Sequence, residues 1–111
     1  MKKILLIILL TVSTNIFSNN SYLDGNAYLD GNKLINLIRS NLIYENQLAV
    51  GYILGVVDSH DSICGWKLTG VSGGQLNQIT KNFLEKHPES WNYGAYGVVI
   101  YAIKEVYPCK K

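Results

Sequence analysis

Between Pro88 and Pro108 the residues Trp91, Ala95, Val98, Val99, Ala102, Ile103 and Val106 recur every three or four positions. That spacing lines one face of an α-helix through four turns and is the clearest helical signal in the chain. Pro88 suits a first helical turn and Pro108 cannot continue one, so the two prolines bracket it. Upstream, Leu34, Ile35, Ile38, Leu42 and Ile43 predict a helix from about Lys33 to Ile43, with Asp30 or Asn32 available to cap its start. The apolar run Leu48 to Val57 has the β-branched content of a buried strand, but its length and the lack of a second such run favour a buried helix. Gly51 and Gly55 would then share one face and let a neighbouring helix approach closely. Ser72-Gly73-Gly74-Gln75 fits a capping box, and Leu76, Ile79, Phe83 and Leu84 follow on one face, so a third helix runs from about Gly73 to Lys86. His87-Pro88 stops it. The stretch from Asp58 to Gly74, polar and rich in glycine, reads as a long loop that carries Cys64 and Trp66. The expected fold is all-α: a small four-helix domain.

The N-terminus sets the compartment. Lys2 and Lys3 precede seven apolar residues, Ile4 to Leu10, and a polar stretch to Ser18, the pattern of a secretory signal peptide. The strongly apolar run is about 10 residues, against the roughly 20 a spanning helix needs, so it predicts a cleaved leader rather than a membrane anchor. The chain therefore divides into a signal peptide at 1–18, a lead-in at 19–32 and a helical domain at 33–111. The lead-in repeats itself, Tyr22-Leu23-Asp24-Gly25-Asn26 returning as Tyr28-Leu29-Asp30-Gly31-Asn32, with the second copy starting the first helix. A calcium loop would need further aspartates and a distal Glu that these copies lack.

Both cysteines, Cys64 and Cys109, lie in the exported part, where disulfides persist. One bridge is possible; it would close a loop of about 46 residues, worth roughly 4 kcal/mol in the chain-entropy model. A mature chain of about 93 residues is small enough for such a staple to matter. Neither cysteine has the Cys or His neighbours of a zinc site, so no metal is expected.

Once Lys2 and Lys3 leave with the leader, basic and acidic residues balance at eight each. A neutral domain has no electrostatic means of holding phosphate backbones, which argues against nucleic acid as a partner. Nor is catalytic chemistry assembled: His87 sits at a helix end, His60 lies between Asp58 and Asp61 in a polar loop, and no nucleophile pairs with either. Gly70-x-x-Gly73-Gly74 lacks the Lys and preceding strand of a phosphate loop. Aromatic residues are plentiful. Trp91 is in phase with the last helix and reads as core, whereas Trp66, beside Cys64, is either an exposed contact residue or a cover over the disulfide.

Taken in order, Gly51-Tyr52-Ile53-x-Gly55-Val56-x-Asp58, Cys64, Gln75, Leu84-x-x-His87-Pro88-Glu89 and Pro108-Cys109 resemble the Rap/Tai family of immunity proteins, from Gly31 to Cys109. The resemblance implies a small exported helical protein, commonly a homodimer. It also implies a non-catalytic partner role in the periplasm: binding a papain-like peptidoglycan amidase of a type VI secretion system and blocking its Cys-His cleft. On this resemblance Cys64 and Cys109 correspond to the family's C-terminal disulfide pair. A second pair that many members carry is missing, with Ile38 or Arg39 and Leu48 or Ala49 in its places. Gly65-Trp66 also replaces the usual proline after the loop cysteine. The loop from Asp58 to Gly73 is the expected contact surface, with Asp58, His60, Asp61, Trp66 and Lys67 as the partner-binding residues. Three other readings compete. An acid-stress chaperone would share size, export and one disulfide, but 16% charged residues is sparse for that role. A small hydrolase or a generic adaptor completes the set.

Overall fold

A computed structural model of the protein describes residues 28–110. The expected leader and its expected cleavage point, and the first copy of the repeat, lie outside these residues. The described chain is all-α. It comprises α1 (Gly31–Arg39), α2 (Ile43–Cys64), α3 (Gly73–Lys86), a 3₁₀ turn (Pro88–Asn92) and α4 (Ala95–Val106), closed by a Cys64–Cys109 disulfide.

Asp30 starts α1 by accepting the Lys33 N–H at 2.8 Å, and Leu34, Ile35 and Ile38 turn into the core. The helix stops at Arg39, four residues short of the position its apolar spacing predicts. The cause is Asn46, whose amide donates to the terminal carbonyls of Leu37, Ile38 and Ser40 at 2.9, 3.3 and 3.0 Å. Those groups have no intrahelical partner once the helix ends. Leu42 and Ile43 belong instead to the turn and the start of α2, and both are exposed.

The 22 residues of α2 make it the longest of the described elements, about 33 Å from end to end. It absorbs the run from Leu48 to Val57 and also the first part of the expected polar loop. Ala49, Ile53, Val56, Val57 and Cys64 are buried along one face. The opposite face is apolar too, with Tyr44 68% and Leu48 58% exposed. Among the described residues no other helix packs on Gly51 or Gly55: a Cβ at either would meet nothing within 4 Å. Their expected role in close helix packing is not found among the described residues.

Ser72 and Gln75 form the capping box, each side chain satisfying the other's backbone N–H, and α3 buries Leu76, Thr80 and Leu84. Beyond His87 the chain does not run as one helix from Pro88. It makes the 3₁₀ turn and breaks at Tyr93-Gly94, where residues 29–31 pass alongside. Gly31 donates to the Tyr93 carbonyl at 2.9 Å and Ala95 to the Leu29 carbonyl at 2.8 Å. Trp91 therefore lies outside α4. It is half-buried, its Nε1 donates to the Leu84 carbonyl at 2.7 Å, and the Arg39 guanidinium stacks on it at 5.4 Å. The apolar stripe of α4 itself, Val98, Val99, Ala102 and Ile103, fills the centre of the core. No helix among the described residues is long and apolar enough to cross a membrane.

Candidate functional site

The most elaborated feature outside the core is the connection between α2 and α3. Helical spacing continues past Val57 through His60 to Cys64, so the segment expected as loop from Asp58 is helix as far as Cys64, and the loop proper is 65–72. A glycine directly after Cys64 was the signal for this end: Gly65 takes the left-handed conformation at φ +69° and its N–H closes on the Asp61 carbonyl at 2.6 Å. Two more residues of the loop are left-handed, Lys67 at φ +51° and Gly70 at φ +87°. The Asp61 carboxylate accepts the Lys67 N–H at 3.0 Å.

Covalent and hydrogen bonds fasten this loop to the C-terminus. Cys64 is bonded to Cys109, Lys110 donates its N–H to the Cys64 carbonyl at 2.8 Å, and Trp66 donates Nε1 to the Tyr107 carbonyl at 2.6 Å. Trp66 is 2% exposed. Of the two readings its position allowed, the inward one is correct: the indole joins the core, and its one polar atom is satisfied there. Sequence alone gave no hint of Tyr107 as its acceptor.

Between them, these ties leave residues 65–72 as a ridge with a cleft on either side. One cleft, of about 490 Å³, has Leu54, Val57, Leu68, Val71 and Leu76 as its apolar lining, with Asp58, Asp61 and Lys67 as its charged groups. The other, of about 280 Å³, lies between the ridge and Val106, Tyr107, Pro108 and Lys110. Of the five residues expected to bind a partner, Asp58, Asp61 and Lys67 thus come together on one cleft. Trp66 is turned inward, and His60 faces a different neighbourhood.

That neighbourhood is aromatic. The His60 ring centroid is 5.6 Å from Trp66 and 6.3 Å from Tyr96, with Nδ1 3.5 Å from the Tyr96 hydroxyl. Its Nε2 is buried without a hydrogen-bond partner among the described residues. Burial pushes the imidazole below its ordinary range, and the Lys104 ammonium pushes the same way. Tyr52 is pushed up, by burial and by Tyr96. Among the described residues no three His, Cys, Asp or Glu side chains are placed to hold a metal ion.

These features define a small all-α domain closed by one disulfide, with a clefted ridge at the end of α2. The profile of the Rap1a immunity proteins matches residues 30–109, which takes in all four helices and the ridge, and the chain belongs to that family. It is an immunity protein, whose partner is a toxin. No curated protein and no solved structure matches the chain.

Proposed function

We propose that the protein is exported to the periplasm through a cleaved leader, binds a type VI secretion peptidoglycan amidase there and fills its active-site cleft without catalysing a reaction itself. The observation that carries this reading is the ridge. A segment that must enter another protein's groove needs a fixed shape before it binds, because ordering a slack loop on contact costs affinity. Residues 65–72 are fixed at their base by the disulfide, through their length by Trp66 and Asp61, and at their end by the Ser72 capping box. Set between two clefts, the ridge excludes the peptide stem by occupying its place, while the cleft walls receive the rims of the groove. Asp58, Asp61 and Lys67 supply the charged contacts, and Trp66 and His60 act from beneath by holding the ridge.

Self-association belongs to the same reading. The outward face of α2 offers the surface for a homodimer, with Ile43 75% exposed beside Tyr44 and Leu48, and bare backbone at Gly51 and Gly55.

The test is binding and inhibition across a panel of type VI peptidoglycan amidases by the oxidised mature protein, with calorimetry alongside a muropeptide cleavage assay. Nanomolar binding and loss of cleavage for one member is the expected result. Silence across the panel from folded, oxidised protein would overturn the reading.

A further inference from the structure

Lys67 is the one residue other than glycine in the left-handed region among the described residues. With a Cβ in place that conformation is strained, and strain of this kind persists where the surroundings enforce it. The same loop uses glycine at its other two left-handed positions, Gly65 and Gly70. Between them the chain places a long cationic side chain where the turn alone would be met by glycine.

The enforcement comes from Asp61, on the preceding helix, and from the neighbouring Trp66. Asp61 holds the backbone on either side of Trp66, its carbonyl taking the Gly65 N–H and its carboxylate the Lys67 N–H. Trp66 is pinned inward through Tyr107. With residue 66 anchored in the core and the amide of residue 67 turned to Asp61, the Lys67 side chain stands outward. It is exposed, it lines both clefts, and its ammonium makes no ion pair among the described residues.

We propose that Lys67 is the specificity-determining cation of the ridge, held in a strained backbone so as to present its ammonium to a carboxylate on the toxin, with Asp61 as the positioning residue. The inference rests on the toxin-blocking reading and names the chemistry of its central contact. An ammonium is a compact, strongly hydrated charge, and an anionic partner compensates its desolvation where a neutral acceptor does not. Asp58 and Asp61 on the same cleft repel a broadly acidic surface, so the site fits one carboxylate set among neutral groups.

Three substitutions in the oxidised protein test this, read by melting temperature and by affinity for the amidase that the panel identifies. Lys67→Gly removes strain and charge together: the melting temperature rises by a few degrees while affinity falls at least tenfold. Lys67→Met keeps the strain and the alkyl stem: the melting temperature holds while affinity falls as far, and the salt dependence of the association rate weakens. Asp61→Asn gives up only its own charge and retains an oxygen for the Lys67 N–H, whereas Asp61→Ala gives up both, so affinity falls further in Asp61→Ala than in Asp61→Asn. A methionine variant that binds as tightly as the wild type overturns the inference and leaves the toxin reading standing, as does a glycine variant that melts lower. A wild-type protein silent across the panel overturns the toxin reading itself.

Discussion

The seam where α1 begins and the ridge where α2 ends both depend on glycine, for opposite reasons. At the seam, Gly31 lies against the 3₁₀ turn so closely that a Cβ would stand 2.7 Å from Trp91 Cα and 2.9 Å from its carbonyl oxygen. Space forbids a side chain there. At the ridge, Gly70 has open surroundings, with nothing within 4 Å of an added Cβ, and is needed for its φ of +87°. The seam is specified by contact: Asn32 donates to the Trp91 carbonyl at 2.9 Å, and residues 29–31 exchange backbone hydrogen bonds with Tyr93 and Ala95. The ridge is specified by backbone conformation and by ties at its base. A surface held in that second way can change its outward side chains without disturbing the core, which suits a segment that must match a partner.

Removing the disulfide separates the two regions most sharply. Replacing both cysteines by alanine frees a loop worth roughly 4 kcal/mol in the chain-entropy model, so the melting temperature falls by well over 10 °C. Hydrogen exchange should then rise at 65–72 and 107–110 while 29–34 stays protected below the melting point. Equal loss of protection at both ends would make them one cooperative unit and remove the distinction.

Gly31→Ala strikes the other region. The methyl group must displace the Trp91 backbone, which has no soft side chain to yield, and overpacking of this kind costs about 1–3 kcal/mol. The variant that folds should block the toxin with unchanged affinity at 20 °C, since the seam and the ridge share no residue. A loss of affinity as large as that of the cysteine variant would show that the seam supports the ridge.

The two regions also differ in what their sequence revealed. Ser72 and Gln75 announced the start of α3, because a capping box is local chemistry between residues three apart. The second repeat copy announced the start of α1 through Asp30. The reason that α4 begins only at Ala95 was not local. Trp91 keeps the helical phase, but Leu29 and Gly31, over sixty residues earlier, claim the backbone at Tyr93 and Ala95. The early end of α1 was hidden likewise, since Asn46 caps it from the following helix. At the ridge, composition misled: Asp58, Ser59, Asp61 and Ser62 look like a loop, yet they form the solvent side of a helix whose inner side continues through His60 and Cys64. That Asp58, Asp61 and Lys67 meet on one cleft follows from that helix, which sets Asp58 and Asp61 three residues apart on one side of it.

The smallest expected effect lies beneath the ridge, at His60. The unfolded chain takes up a proton at an imidazole near its ordinary value of about 6.5, whereas burial beside Trp66 and Tyr96, with Lys104 facing it from α4, makes the folded chain resist. The contribution of the neutral ring is therefore full above about 6.5 and is lost as pH falls through the lowered folded value. Wild-type melting temperature should decline between pH 7 and 5, with a change in Trp66 fluorescence, because the ring that must charge packs against that indole. Glu89 is also held low, by hydrogen bonds from its own backbone and from His87, but its contribution gives way only below about 4.5 and lies outside the window. His60→Gln should flatten the slope between pH 7 and 5 and leave the acid limb intact. If the slope persists in that variant, the titrating group lies elsewhere, and the ridge is insulated from acid by the same ties that fix its shape.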